Sequence, residues 1–182
     1  MNAETKVADL DQILRAAEGQ IAWCRGGGAP FTANIIEVVH GNLGRGGVLA
    51  PLVVPWHGNP LGDALVLRIT GALHLMVRTR RAPGLARFYP GHGDAAWDAD
   101  AVAREVEDAV GANLAFVRDV LSGPPQTNET GRSAVLMPGY AMIAAQTGLP
   151  LAVKELGASA GLNLMWDRYA YRYGERFVGD AT

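Results

Sequence analysis

The chain has one cysteine in 182 residues, a net charge of only −2, and no long uninterrupted apolar run. A single thiol, Cys24, cannot close an internal disulfide, and nothing near it has metal-site spacing. A reducing, cytoplasmic setting is therefore expected, with no bound metal. Sixteen basic residues against eighteen acidic ones leave no basic footprint of the kind that grips a phosphate backbone, so nucleic acid is not an expected partner. The longest apolar stretches are cut by Arg68, His74 and Arg78, or by Pro51 and Pro55, well short of the roughly 20 residues a membrane span requires. Residues 1–7 carry charge and no apolar segment, so neither a secretory signal nor a membrane partner is expected. What is present is 49% hydrophobic and 19% charged, a balance that supports a substantial core and argues against disorder.

Helical periodicity dominates the first four-fifths of the chain. Val7, Leu10, Leu14, Ala17 and Ile21 recur at three- and four-residue steps up to the glycines at 26–28, and Phe31, Ile35, Val38 and Val39 begin a second helix that stops between Gly41 and Gly47. Leu61, Leu65, Ile69, Leu73 and Met76 define a third. Its neighbours Ala64, Leu67, Ala72 and Leu75 widen the apolar arc, which marks it as central. Asp98 or Asp100 can cap a long fourth helix carrying Val102, Val106, Val110, Leu114, Val117 and Leu121. A fifth is predicted over 133–146, bent or interrupted at Pro138. Tyr169, Tyr171 and Tyr173 alternate like a short strand.

The most informative stretch is Leu151–Gly161, LAVKELGASAG. A short apolar strand pattern runs to Glu155 and then breaks into Gly157, Ser159 and Gly161 at two-residue spacing. Small residues there let a ligand approach the backbone closely. The pattern E-x-G-x-S-x-G resembles the first motif of S-adenosylmethionine-dependent methyltransferases, with a serine in place of the middle glycine. That resemblance implies a cofactor site in which Gly157, Ser159 and Gly161 hug the amino-acid and ribose portions while Glu155 lies beneath. The same residues satisfy G-x-S-x-G, the nucleophile elbow of α/β-hydrolases, with Ser159 as nucleophile. Its histidine partner should follow the serine, yet His40, His57, His74 and His92 all precede it. A third reading is a tight structural turn.

A second polar cluster, Pro124–Ser133, joins two helices. Thr127, Asn128 or Thr130 suits a helix cap, whereas Asn128, Glu129 and Arg132 are the candidate ligand-contacting residues. His74 reads as a core or boundary histidine. His57 and His92 sit beside glycines without metal-site spacing, and the four tryptophans read as packing anchors.

Ala22-Trp-Cys-Arg25 with Ala29-Pro-Phe31, then Pro124–Glu129 with Gly131-Arg-Ser133, then Glu155–Asn163 and Trp166-Asp-Arg-Tyr169, together resemble the bacterial domain-of-unknown-function family numbered 2332. The resemblance implies a helical N-terminal portion leading into a methyltransferase-like portion in a protein longer than this one. Thr182 is then a truncation point, and the piece by itself is expected to be inactive. The fold expected is mainly α, with a multi-helix bundle over 1–148 followed over 149–182 by the first strand and glycine turn of an incomplete Rossmann-like α/β unit. Part of a methyltransferase-like protein is the first functional reading; a non-catalytic helical interaction module is the alternative. An unpartnered strand near the C-terminus is also expected to favour homo-oligomers.

Overall fold

The computed structural model of the chain describes residues 7–125 and 129–179, so Thr127 and Asn128 lie outside the described residues. Backbone packing divides the chain into two compact units, Met1–Pro125 and Gln126–Thr182.

In the first unit, α1 (Leu10–Gly26) opens on a capping box: Gln12 N donates to Asp9 Oδ1 at 2.9 Å and Asp9 N donates to Gln12 Oε1 at 3.1 Å. A three-glycine turn reverses the chain into α2 (Pro30–Gly44), whose proline occupies the first turn, where its missing N–H costs nothing. The two helices lie against each other, and Ala17, Cys24, Ala33 and Ile36 close the seam together with Val66. After the short α3 (Ala50–Val53), β2 (Trp56–His57) pairs antiparallel with β1 (Val7–Ala8). The helix α4 (Leu65–Arg78) is the centre of the unit. Leu65, Val66, Ile69, Ala72, Leu73, Met76 and Val77 are all buried, an arc too wide for a helix packed on one side only.

The apolar pattern predicts α4 from Leu61, but the helix begins four residues later. Asn59 Oδ1 accepts from the Leu61 and Gly62 N–H groups, and Ala64 turns left-handed at φ 53°, so the segment is committed to a turn before Leu65. Leu61 is consequently exposed. After α5 (Pro83–Ala86), α6 (Ala99–Ala112) starts on Asp98, whose carboxylate accepts from the Asp100 and Ala101 N–H groups. The single long helix expected here is two. Asn113 leaves the helical conformation and its side-chain amide donates to the Ala109 carbonyl at 2.8 Å, ending α6 before α7 (Leu114–Ser122) begins. Val102, Val106, Val110, Val117 and Leu121 nevertheless reach the same core.

On the outer side of α4, His74 stacks on Tyr89 with ring centroids 5.6 Å apart, and His92 lies edge-on at 6.3 Å. Partial burial of the ring, reinforced by Arg78 and His92, holds the His74 pKa below its ordinary 6.5. The unfolded chain therefore takes up this proton more readily than the folded one, and stability is complete above about pH 6.5 and falls as pH drops through the lowered value. Urea unfolding at pH 7.5 and 5.5 should show a smaller pH dependence for His74→Gln than for the unsubstituted chain.

The second unit holds α8 (Gly131–Thr147), a 3₁₀ helix (Leu162–Arg168) and a hairpin of β3 (Tyr171–Tyr173) with β4 (Arg176–Val178). Pro138 does not break α8. It removes the donor that the Ala134 carbonyl would use, and that carbonyl instead accepts from the Tyr173 hydroxyl at 2.5 Å. Tyr140 packs on Trp166 at 4.9 Å, tying α8 to the 3₁₀ helix.

The strand expected over Leu151–Leu156 is not part of a sheet. Leu151, Val153 and Glu155 are half-buried and their neighbours exposed, an extended alternation, but β3 and β4 pair only with each other. A strand needs a neighbour's hydrogen-bonding edge, and no parallel pairing, hence no Rossmann-like layer, occurs among the described residues. The mainly helical character is as expected, with few short strands. No helix among the described residues is long and apolar enough to cross a membrane.

Candidate functional site

The two motifs singled out in the sequence, the polar segment before α8 and the acid-glycine turn, meet in the second unit. Arg132, in the first turn of α8, is held toward Glu129 Oε2 at 3.4 Å and reaches Glu155 Oε1 at 4.0 Å. From the other side Asn163, in the 3₁₀ helix, donates to the same Glu155 Oε1 at 3.4 Å. All three contacts are long. The Glu155 carboxylate is four-fifths buried, yet it is weakly served by cation and donor alike. Its second oxygen, Oε2, and the Asn163 Oδ1 are both buried without a hydrogen-bond partner among the described residues. Two buried acceptors without donors among the described residues of one small unit are an unusual expense and call for a specific reason.

The turn that follows Glu155 supplies open backbone. Gly157, Ser159 and Gly161 have φ of 68°, 51° and 72°, the left-handed region that only glycine enters freely. A Cβ at Gly157 or Gly161 would meet no atom of the described residues within 4 Å, so the turn is open at those two positions. The turn closes through the Gly161 N–H on the Ala158 carbonyl at 2.7 Å and leads into the 3₁₀ helix rather than into a long α-helix. The four sequence-selected residues thus lie on one turn, with Glu155 at its entry. The capping role foreseen for Thr130 is absent: it is the N-cap of α8 but its side chain makes no cap bond, and Ser133 Oγ donates to its carbonyl instead.

Other candidates lie apart from this turn in the chain. The four histidines belong to Met1–Pro125, and no group of three His, Cys, Asp or Glu side chains suited to a metal occurs among the described residues. Asn163 is the site residue that sequence reasoning missed as a ligand group. Its position eight residues after Glu155, just beyond the last glycine, was the available signal.

A family model described as an uncharacterized protein conserved in bacteria (DUF2332) matches residues 15–182. The chain belongs to this family. Both segments of the candidate site, Glu129–Arg132 and Glu155–Asn163, fall within the matched region. No curated protein and no solved structure matches the chain.

Proposed function

We propose that this family-2332 chain contributes, in the cytoplasm, the acid and glycine turn of an S-adenosylmethionine site in a methyltransferase-like protein. The observation that carries the reading is a pair of buried acceptors without donors among the described residues, Glu155 Oε2 and Asn163 Oδ1, beside a turn that is open at Gly157 and Gly161. S-adenosylmethionine brings an ammonium group and ribose hydroxyls, which are donors of the kind these acceptors need. Gly157, Ser159 and Gly161 would lie along its amino-acid and ribose portions, and Glu155 would accept beneath them. When bound, the cofactor would supply an activated methyl group, and the chain's own residues would orient it.

The test is calorimetric titration with S-adenosylmethionine and its demethylated product. Saturable binding near micromolar, about −8 kcal/mol, is expected for the intact site. No heat of binding at millimolar ligand would overturn the reading.

The alternative, a non-catalytic interaction module, is favoured by one observation. Val135 is 80% and Leu156 100% exposed, and Met142, Ile143, Leu149 and Phe177 are exposed with them in the same unit. Apolar side chains at this density favour association. Sedimentation should show concentration-dependent self-association, weakened by Leu156→Lys; a monomer at high concentration would count against the module and leave the cofactor reading standing.

A further inference from the structure

Two cavities in the first unit are both walled by α1 and share Leu61. One, of about 330 Å³, is bounded by Gln12, Arg15 and Ala16 of α1 and by Asn59 and Leu61 of the turn before α4. The next, of about 480 Å³, is bounded by Gly19, Gln20, Trp23 and Leu67 and shares Leu61 with the first. Each falls within the size range of small-molecule sites. Gln12, Ala16, Gly19 and Trp23 follow one another at four-, three- and four-residue steps, so they share a helix face, and the two small residues form a low floor between larger ends.

The ends differ in chemistry. Arg15 is exposed and makes no ion pair or hydrogen bond among the described residues, so one end presents a guanidinium with its donors unspent. At the other end Trp23, 70% exposed, and Leu61, 61% exposed, face a groove completed by Leu67. Leu61 is held there by a braced turn rather than by a loose one. Trp56 Nε1 donates to Asp63 Oδ2 at 2.8 Å, Arg68 Nε donates to the Asp63 carbonyl at 2.7 Å, and the Arg68 guanidinium lies over the Trp56 ring at 5.5 Å. With the Asn59 bonds to the Leu61 and Gly62 N–H groups, the wall is fixed in place while its apolar residue stays uncovered.

We propose that this groove binds a single-chain aliphatic carboxylate, its head on Arg15 and its tail against Trp23, Leu61 and Leu67. A guanidinium matches a carboxylate through paired N–H donors, which fixes the sign and kind of the head group. Arg15 and Trp23 are eight residues apart, about 12 Å along the helix, which suits a tail of about ten carbons. The site is independent of the turn at Gly157 and of any cofactor bound there.

Decanoate, kept below its micelle concentration, tests the proposal through tryptophan fluorescence and calorimetry. It should bind saturably with an emission change that is lost in Trp23→Phe, and Arg15→Gln should weaken it about tenfold. Gly19→Leu is the decisive variant. No atom lies within 4 Å of the added Cβ and leucine is the better helix former, so the fold should be kept or strengthened while the groove is filled and binding is lost. Decyltrimethylammonium should bind far more weakly than decanoate. Equal binding of the two head groups, undiminished binding by a folded Gly19→Leu variant, or binding only to micelles or anionic vesicles would each overturn the proposal.

Discussion

Asn42→Leu should lower the stability of the chain by about 2–4 kcal/mol, the range for breaking a buried polar network. Asn42 is 1% exposed, with its amide shared between two duties. Its Nδ2 donates to Glu107 Oε1 at 2.6 Å, and its Oδ1 accepts from the Leu49 N–H at 3.1 Å. Glu107 Oε2 in turn accepts from the Val48 N–H at 3.2 Å, so one asparagine and one glutamate fasten the turn after α2 to α6. Leucine keeps the branched shape in a larger volume, leaves the buried Leu49 N–H without an acceptor and strips the half-buried carboxylate of its shortest bond. Gly47→Ala should act on the same clamp, because its Cβ would come within 2.6 Å of both Asn42 Nδ2 and Glu107 Oε1. Urea unfolding measures both. An unchanged slope with a lower midpoint is expected for Asn42→Leu, and a loss below about 0.5 kcal/mol, the usual size of a surface change, would contradict the clamp.

The second large effect belongs to the proposed cofactor site. Gly157→Val should reduce binding of S-adenosylhomocysteine by at least about 100-fold, equivalent to roughly 3 kcal/mol. Gly157 has φ 68° and a Cβ added there would meet no atom of the described residues within 4 Å, so valine would project its branched methyls from the face offered to a ligand. The left-handed backbone adds local strain of about 1–2 kcal/mol for a residue with a Cβ. Far-ultraviolet dichroism should change little, because α1 to α7 belong to the other compact unit. Gly157→Ala, which carries most of the strain and little of the bulk, should fall between the two; equal losses for alanine and valine would assign the effect to backbone strain alone.

Periodicity and capping signals made the helical layout readable. Asp98 caps α6 and the glycines at 26–28 end α1 because both depend on bonds within a few residues. What depended on distant partners was not readable. The Leu151–Leu156 pattern is that of a strand, but a pattern cannot supply the neighbouring edge, and the segment pairs with no strand among the described residues. Pro138 signalled a bend, and its cost is met by Tyr173, 35 residues later, which no local rule reveals. Asn113 could have been recognised as a helix end from its own side chain; the unbroken apolar repeat across it concealed the break. At the candidate site the sequence identified Glu129, Arg132, Glu155 and the glycine turn by residue type. Only the structure brings Arg132 to Glu155 and adds Asn163. Trp23, which reads as a packing anchor, is the most exposed tryptophan, because α1 offers it no covering helix on that face.

The most direct test of the cofactor reading is an amide-resonance titration of the isotope-labelled protein with S-adenosylhomocysteine. Saturable shifts are expected at the backbone amides of Gly157, Ser159 and Gly161 and at the side-chain amide of Asn163, all with one dissociation constant and all absent in Gly157→Val. Unmoved resonances at these four residues under saturating ligand, or shifts confined to residues 7–125, would contradict it.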